Sequence, residues 1–174
     1  MNKTKQTDIR IEREVANWMD RNFYARIQSQ AKVQRTWDKR LQFRGCDIMV
    51  GKSVIDEKCK YRGLRNKIFQ YLSFELSFIG RDGRRKQGWF AKDGMATTHY
   101  AFISVFTTAE SDDLIREENI TKTVVSLVSK KDVWQMVKDN GDDILADATL
   151  LRRSCDERKI YPHGRYWLKH STQL

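Results

Sequence analysis

A two-residue break, Gly51-Lys52, separates two β-rich runs at residues 45–50 and 53–60, and this arrangement constrains the fold more than any other feature. Glycine followed by a polar residue between two such runs predicts a hairpin with a two-residue loop. Counting back along both strands from that loop sets Asp47 opposite Asp56. Any even, symmetric loop gives the same register, so the pattern predicts that the two carboxylates face each other.

The predicted hairpin gathers a chemically reactive set of side chains. Cross-strand partners lie ~5 Å apart at Cβ, and like charges directly opposite each other are destabilising. Lys58 follows Asp56 by two positions and therefore projects to the same face. A divalent cation would relieve the repulsion, since Mg²⁺ prefers oxygen ligands, and the set suits metal-assisted phosphodiester hydrolysis. The alternative is an exposed hairpin with surface ion pairs that contribute little.

The composition indicates a globular protein with a polyanionic partner. The chain has 174 residues, of which 40% are apolar and 32% charged, which suits a single domain. Lys and Arg number 33 against 23 Asp and Glu, giving a net charge of +10. The excess could instead serve solubility alone, but much of it follows the hairpin closely in sequence. The candidate nucleic-acid-binding residues are Lys60, Arg62, Arg65, Lys67, Arg84 and Arg85.

Cysteine and histidine usage argues against a disulfide framework and against zinc. The chain has 3 cysteines and 3 scattered histidines, and the sequence contains no C-x-x-C and no secretory signal. No long apolar run is present, so no membrane partner is expected. Reduced thiols and a cytoplasmic location are the expectation.

The first quarter of the chain predicts one helix and a less regular segment. Residues 1–8 are polar and expected to fray, and the helix is predicted over 9–22 with Asp8 as its N-cap. On a helical wheel Glu12 falls inside the apolar stripe, where a carboxylate needs a partner or a metal. Residues 25–44 are predicted to form a loop or short strand that leads into the hairpin.

Downstream periodicity predicts more strands of the same sheet. The predicted strands are 72–78, 88–90, 99–106 and 121–128, the last of them buried, with a short terminal strand at 165–169. Turns are predicted at 80–83 and at Asp93-Gly94, a surface connection over 107–118, and a helix over 131–140 ended by Gly141. The pattern as a whole predicts one α/β domain, 1–174, with a mixed central sheet flanked by helices. In it residues 9–106 form the motif-bearing core and residues 107–174 complete it as strand, helix and strand.

The order of acidic residues resembles the PD-(D/E)xK nuclease superfamily. An acid on the first helix is followed by Asp47 on one hairpin strand and by the acid-x-Lys run Ile55-Asp56-Glu57-Lys58 on the next. Together with Glu12-Arg13-Glu14-Val15, this order is most similar to the archaeal Holliday junction resolvases. The match covers residues 9–60 well and the rest only in general layout. Residues 42–47, 56–58 and 74–76 are also similar to uncharacterised phage and bacterial members.

The resemblance implies a restriction-endonuclease-like core and a role for each motif residue. Asp47 and Asp56 would bind Mg²⁺, or Mn²⁺ in its place, together with the Glu57 carbonyl and Glu12, while Lys58 would orient or help deprotonate a water. Glu75 is a secondary candidate for the same site, although a plain solvent-facing glutamate is the simpler reading. The expected catalytic residues are therefore Asp47, Asp56 and Lys58.

The sequence departs from the family pattern at or beside the motif residues in three ways. Cys46 stands where the pattern often has proline, and the triplet acid is Asp56 rather than glutamate. Glu57 is expected to project to the opposite face, where it would make a structural salt bridge or a helix contact.

The sequence thus predicts a metal-dependent deoxyribonuclease that cuts DNA, with junction or branched DNA among its expected substrates. Symmetric cutting of two strands would favour a homodimer. Tyr61 and Tyr71 could stack on unpaired bases, with core packing as the alternative. Two other functions remain open: a non-catalytic DNA-binding or inhibitory protein on a degenerate nuclease scaffold, and an adaptor that binds an acidic protein.

Overall fold

The structure is a computed structural model that describes residues 3–61, 65–68, 72, 74–75, 77–79 and 83–139. The chain divides into two compact units, Met1–Lys130 and Lys131–Leu174. The predicted terminal strand at 165–169 and most of the predicted turn at 80–83 lie outside the described residues. Among the described residues, no helix is both long enough and apolar enough to cross a lipid bilayer.

The N-terminal helical segment is longer than the sequence predicted. Helix α1 (Lys3–Met19) continues into a π-helical turn (Asp20–Tyr24) and then into α2 (Ala25–Ile27). Asp8 therefore lies inside α1, and the predicted N-cap role is wrong. Its carboxylate instead accepts a hydrogen bond from the hydroxyl of Tyr61.

The sheet is mixed, as predicted. Its five strands occur in the order β1-β2-β3-β6-β7, and a separate two-stranded sheet pairs β4 with β5. The β3–β6 pair is parallel and the other pairs are antiparallel. The strands are β1 (Val33–Arg35), β2 (Ile48–Val50), β3 (Ser53–Lys60), β4 (Ser77–Ile79), β5 (Arg85–Gln87), β6 (His99–Thr107) and β7 (Ile120–Ser129).

The predicted hairpin is confirmed in its register. Val50 pairs with Ser53 and Ile48 with Ile55, so the loop is Gly51-Lys52. Gly51 has a φ of 59°, whereas Lys52 is not among the residues with positive φ. A positive φ at the first loop position alone is the pattern of a type II′ turn, whose twist matches that of the flanking strands.

The two faces of the sheet have different environments. Helix α1 packs through Ile11, Val15 and Met19, spaced four residues apart, onto the face that holds Ile55 and Ile103. Each such fully buried aliphatic side chain contributes roughly 1.5–3 kcal/mol of stability. Because strand side chains alternate, Asp56, Lys58, Tyr100 and Phe102 lie on the other face. An aromatic cluster packs there: Phe74, Trp89, Phe90, Tyr100 and Phe102.

Strand β6 confirms the prediction for 99–106, but the predicted strand at 88–90 is wrong. Gly88 packs so closely on Glu75 that a Cβ there would lie 2.2 Å from the Glu75 carbonyl oxygen. Phe90 then donates its N–H to that same carbonyl oxygen at 3.1 Å. The chain turns at this point because a glycine lets two backbone segments approach.

Other predicted elements are shifted or shortened. Of the predicted strand at 72–78, the described residues form only the short β4. Strand β7 lies next to β6 alone in the sheet order, and Leu127 is 58% exposed, so the prediction of a buried strand is wrong. The connection after β6 contains two short 3₁₀ turns around the buried Ile115. Gly94 at the predicted turn has a φ of 71°.

Two further predictions can be compared directly. Residues 25–44, predicted as a loop or short strand, contain α2, β1 and the one-turn helix α3 (Lys39–Gln42). The predicted C-terminal helix is present as α4 (Lys130–Asp139). The glycine expected to end it lies outside the described residues.

Candidate functional site

The site is built where the hairpin meets strand β6. Asp47 immediately precedes β2 and donates its N–H to the carbonyl of Ile55 at 3.0 Å. Its carboxylate oxygen Oδ2 accepts the N–H of Glu57 at 2.8 Å, which turns the side chain toward β3. Asp56 lies on β3, is 3% exposed, and has its carboxyl group within hydrogen-bonding reach of that of Asp47. The structure therefore brings the two predicted acids together.

The pair is electrostatically strained. Loss of hydration and the adjacent charge of Asp56 raise the pKa of Asp47 to about 7, although the Glu57 N–H acts in the opposite direction. Two close carboxylates in a half-buried site cannot both ionise without a compensating positive charge. At neutral pH the pair is suited to hold either a shared proton or a cation.

Lys58 supplies one positive charge to this pair. Its Nζ lies 2.6 Å from Asp56 Oδ1, with the side chains 26% and 5% exposed respectively. The same Nζ lies 4.6 Å from the centroid of the Trp89 ring. A cation over an indole face is stabilised by the ring quadrupole. Trp89 therefore covers the site lysine.

Tyr100 is a site residue that the sequence did not reveal. It pairs with Asp56 across the parallel β3–β6 ladder and is 0% exposed. Its buried hydroxyl lies next to the Thr97 side chain. Burial, followed by the charge of Asp56, raises the pKa of Tyr100, whereas the Thr97 side chain lowers it. The signal in the sequence was a tyrosine in an apolar run, but its position beside Asp56 depends on a strand register that the sequence does not give.

Gly45 lets the backbone approach these groups closely. Its φ is 70°, and a Cβ at this position would lie 2.1 Å from Thr97 Oγ1 and 3.3 Å from Asp56 Oδ2. Thr97 is buried and donates its hydroxyl to the Gly45 carbonyl at 2.9 Å. A side chain at position 45 would therefore displace the threonine that lines the acid pair.

Glu57 turns away from the site, as expected. Its carboxylate accepts hydrogen bonds from Arg35 Nη1 at 2.6 Å, from Arg35 Nη2 at 3.2 Å and from the Tyr24 hydroxyl at 2.9 Å. The expected structural salt bridge is thus confirmed. The N–H and C=O of a strand residue point to the same side, so the Glu57 carbonyl is directed toward Asp47. Only this backbone oxygen, and not the carboxylate, is available to the acid pair.

Glu12 is not brought to the acid pair. It is exposed on α1, which covers the opposite face of the sheet, so the inward orientation expected from the helical wheel is wrong. Loss of hydration, followed by the charge of Asp8, raises the pKa of Glu12, whereas Lys58 lowers it. In the part of the chain that the structure describes, no group of three His, Cys, Asp or Glu side chains could hold a metal ion.

The remaining oxygen donors fit a hard cation in number and kind. Mg²⁺ commonly binds one or two carboxylates and keeps several waters. Asp47, Asp56 and the Glu57 carbonyl provide such a set. The raised pKa of Asp47 means that a cation bound beside the pair would favour its ionised form.

The predicted basic residues have different environments. Arg65 donates to the Ala109 carbonyl at 2.5 Å and lies 3.6 Å from Asp112, so it serves the loop after β6. Lys67 and Arg84 are exposed. Arg62, and the side chains of Lys60 and Arg85, lie outside the described part of the structure.

Two other predicted residues can be placed, and a third cannot. Glu75 is exposed and lies against Gly88. Tyr61 is 5% exposed and hydrogen-bonds Asp8, so core packing and not base stacking is its role. Tyr71 lies outside the described residues.

No protein-family model, curated protein or solved structure matches the chain. A functional conclusion therefore depends on the geometry of the site itself.

Proposed function

We propose that this protein is a metal-dependent deoxyribonuclease that hydrolyses DNA phosphodiester bonds. One observation carries the proposal: two carboxyl groups within hydrogen-bonding reach of each other, with a lysine amine 2.6 Å from one of them, on a single face of the sheet. Two carboxylates that can hold a metal ion, with an amine beside them, suit metal-assisted phosphodiester hydrolysis. It also supports the resemblance to a restriction-endonuclease-like core.

Each site residue has a separate role in the proposed reaction. Asp47, Asp56 and the Glu57 carbonyl would hold Mg²⁺ or Mn²⁺. A bound ion of this kind supplies Lewis-acid polarisation of a phosphate and a more acidic water. Lys58 would exchange its contact with Asp56 for an attacking water or a phosphate oxygen, because the added cation compensates the carboxylate charge. The Tyr100 hydroxyl would donate a hydrogen bond to whichever oxygen occupies the site.

The charge of the chain supports DNA as the substrate. The net charge is +10, and Lys67 and Arg84 are exposed. Phosphate contacts from such residues give affinity that falls steeply with salt. Within this proposal the enzyme is cytoplasmic, acts on junction or branched DNA as its resemblance to resolvases implies, and works as a homodimer where two strands are cut.

One observation favours a second function. At this site the described residues bring only two acids together, and one of them already pairs with Lys58 at 2.6 Å. Such a closed ion pair is also expected of a non-catalytic DNA-binding or inhibitory protein on a degenerate nuclease scaffold. That function predicts that Asp56→Asn leaves DNA affinity and biological effect intact.

A cleavage assay tests the catalytic proposal. Purified protein is incubated with linear, nicked, flapped and four-way DNA in Mg²⁺ or Mn²⁺, beside Asp56→Asn, Lys58→Met and Glu118→Gln. Loss of a group that stabilises transition-state charge lowers rates by roughly 10²–10³-fold, so the first two variants should lose cleavage to that degree. Glu118 is exposed in the turn before β7, so its variant should cut like the wild type. Absence of cutting on all four substrates would contradict the proposal.

Metal binding is a separate prediction. Calorimetric titration of the wild type with Mn²⁺ should give binding that is lost in Asp47→Asn and kept in Glu118→Gln, because Asp47 provides one of only two carboxylates. An equal Mn²⁺ affinity in wild type and Asp47→Asn would show that the acid pair is not the metal-binding site.

A further inference from the structure

An exposed aromatic surface lies on residues 37–44, between strand β1 and Asp47. Trp37 is 54% exposed, Phe43 73% and Leu41 38%. Large apolar side chains clustered at the surface mark interaction sites, whereas scattered ones do not. These three lie within one short segment that directly precedes Gly45 and the acid pair.

The segment is held firmly by its backbone. Asp38 caps α3, its Oδ1 accepting the N–H of Arg40 at 2.8 Å. Phe43 donates its N–H to the Lys39 carbonyl at 2.8 Å, and Cys46 donates to the Leu41 carbonyl at 3.1 Å. The Arg44 carbonyl accepts the N–H of Ala96 at 2.8 Å. The rings are therefore presented by an ordered turn.

Cations lie in the same segment as these rings and over the ring of Trp37. Lys39, Arg40 and Arg44 are exposed in the same segment, against a single acid, Asp38. The guanidinium of the exposed Arg13 lies 5.7 Å from the Trp37 ring centroid. Flat aromatic faces among cations are the features that bind single-stranded nucleic acid, because bases stack on the rings while phosphates meet the charges. In duplex DNA the base faces are stacked on one another inside the helix, so they cannot stack on these rings.

We propose that the 37–44 surface binds unpaired nucleotides of DNA. The inference deepens the proposed nuclease function and depends on it for the choice of DNA. Gly45, whose backbone lies against Asp56, directly follows this surface in the chain. Substrates with unpaired segments are then preferred over continuous duplex.

Fluorescence anisotropy with labelled oligo(dT) tests the proposal in EDTA, where no cleavage enters the measurement. Trp37→Ala and Phe43→Ala should each raise the Kd at least about fivefold, the lower end of the stacking contribution per base. Trp37→Phe keeps a ring and should recover most of the affinity. Leu127→Ala is the matched control, since Leu127 is an equally exposed apolar residue on β7 at 58%, and it should bind like the wild type. Circular dichroism confirms that each variant is folded.

The other outcomes decide either against this inference or against the nuclease proposal. It is overturned if Trp37→Ala and Phe43→Ala bind as the control does, if duplex of the same length binds more tightly than oligo(dT), or if only oligo(U) binds. Binding without cleavage in the Mg²⁺ assay contradicts the nuclease proposal and leaves this surface standing. Cleavage with unchanged binding in both ring variants contradicts this inference alone.

Discussion

Asp47 holds its carboxyl group where lost hydration and a neighbouring acid both oppose ionisation. Its pKa rises from the ordinary 3.8 to about 7 in the folded protein. Between these two pH values the folded state binds more protons than the unfolded state, so the stability contributed by Asp47 is present at low pH and is lost as pH rises to about 7. Each pH unit within this window corresponds to at most about 1.4 kcal/mol.

This residue predicts a measurable pH dependence. The free energy of unfolding from urea titrations should fall for the wild type between about pH 4 and pH 7 more steeply than for Asp47→Asn, which carries no titrating group there. The difference in slope between the two proteins is the readout, because other acids titrate equally in both. Parallel curves for the two proteins would show that Asp47 ionises normally.

Tyr100 and Glu12 show where residue-level prediction ends. The pairing of Asp47 with Asp56 follows from counting along a two-residue hairpin, which is a local property of the sequence. Tyr100 reaches the same place through a parallel partner strand more than forty positions away, and no local pattern encodes that register. The prediction for Glu12 was wrong because the wheel placed its side chain inside the apolar stripe, whereas α1 packs on the sheet through Ile11, Val15 and Met19 and leaves Glu12 exposed.

At the level of elements, two glycines with positive φ allow the cost of backbone strain to be distinguished from the cost of steric crowding. Gly45 has a φ of 70° and no room for a Cβ beside Thr97, whereas Gly51 has a φ of 59° and nothing within 4 Å. Placing an L-residue in the left-handed region costs roughly 1–2 kcal/mol. Gly51→Ala should lower the free energy of unfolding by about that amount.

Gly45→Ala should lower stability by more than Gly51→Ala, because the new methyl group must also displace Thr97 Oγ1. It should also weaken Mn²⁺ binding, since Thr97 and Gly45 both line the Asp56 carboxylate. Thermal unfolding and calorimetry on the two variants give the comparison. Equal destabilisation of the two variants, with unchanged metal affinity in both, would mean that Thr97 moves aside at little cost to accommodate the methyl group at position 45.

Elements with strong local signals were predictable, and those decided by packing were not. The hairpin, β6 and α4 follow from alternation, turn residues and helical spacing. The run at 88–90 has the apolar content of a strand, yet Gly88 lets it fold against Glu75 instead. Valine favours a strand whether that strand is central or at the edge of a sheet. The valines of β7 therefore predict a strand but not how deeply it is buried.

At the scale of the whole molecule, the two faces of β3 have separate tasks. Glu57 faces α1 and the π-helical turn, where Arg35 joins it to Asp20 at 2.7 Å and Tyr24 donates to it. Asp56 and Lys58 face the other way. Arg35 and Glu57 are 9% and 10% exposed, and leaving one member of such a pair uncompensated costs roughly 3–5 kcal/mol. The network therefore links the N-terminal helical segment to the sheet on which the acid pair is built.

This division predicts that a substitution in the Arg35 network lowers stability and leaves metal binding unchanged. Arg35→Met should lower the urea midpoint strongly, because Glu57 keeps only the Tyr24 hydroxyl. Arg40→Met is the matched control, since Arg40 is 92% exposed, pairs with Asp38 at 3.6 Å and should change stability by less than about 1 kcal/mol. Below its unfolding transition, Arg35→Met should still bind Mn²⁺ like the wild type, because Asp47 and Asp56 lie on the other face. A loss of metal affinity in folded Arg35→Met would show that the two faces are coupled through β3, and an unfolding midpoint equal to that of Arg40→Met would show that the network does not stabilise the fold.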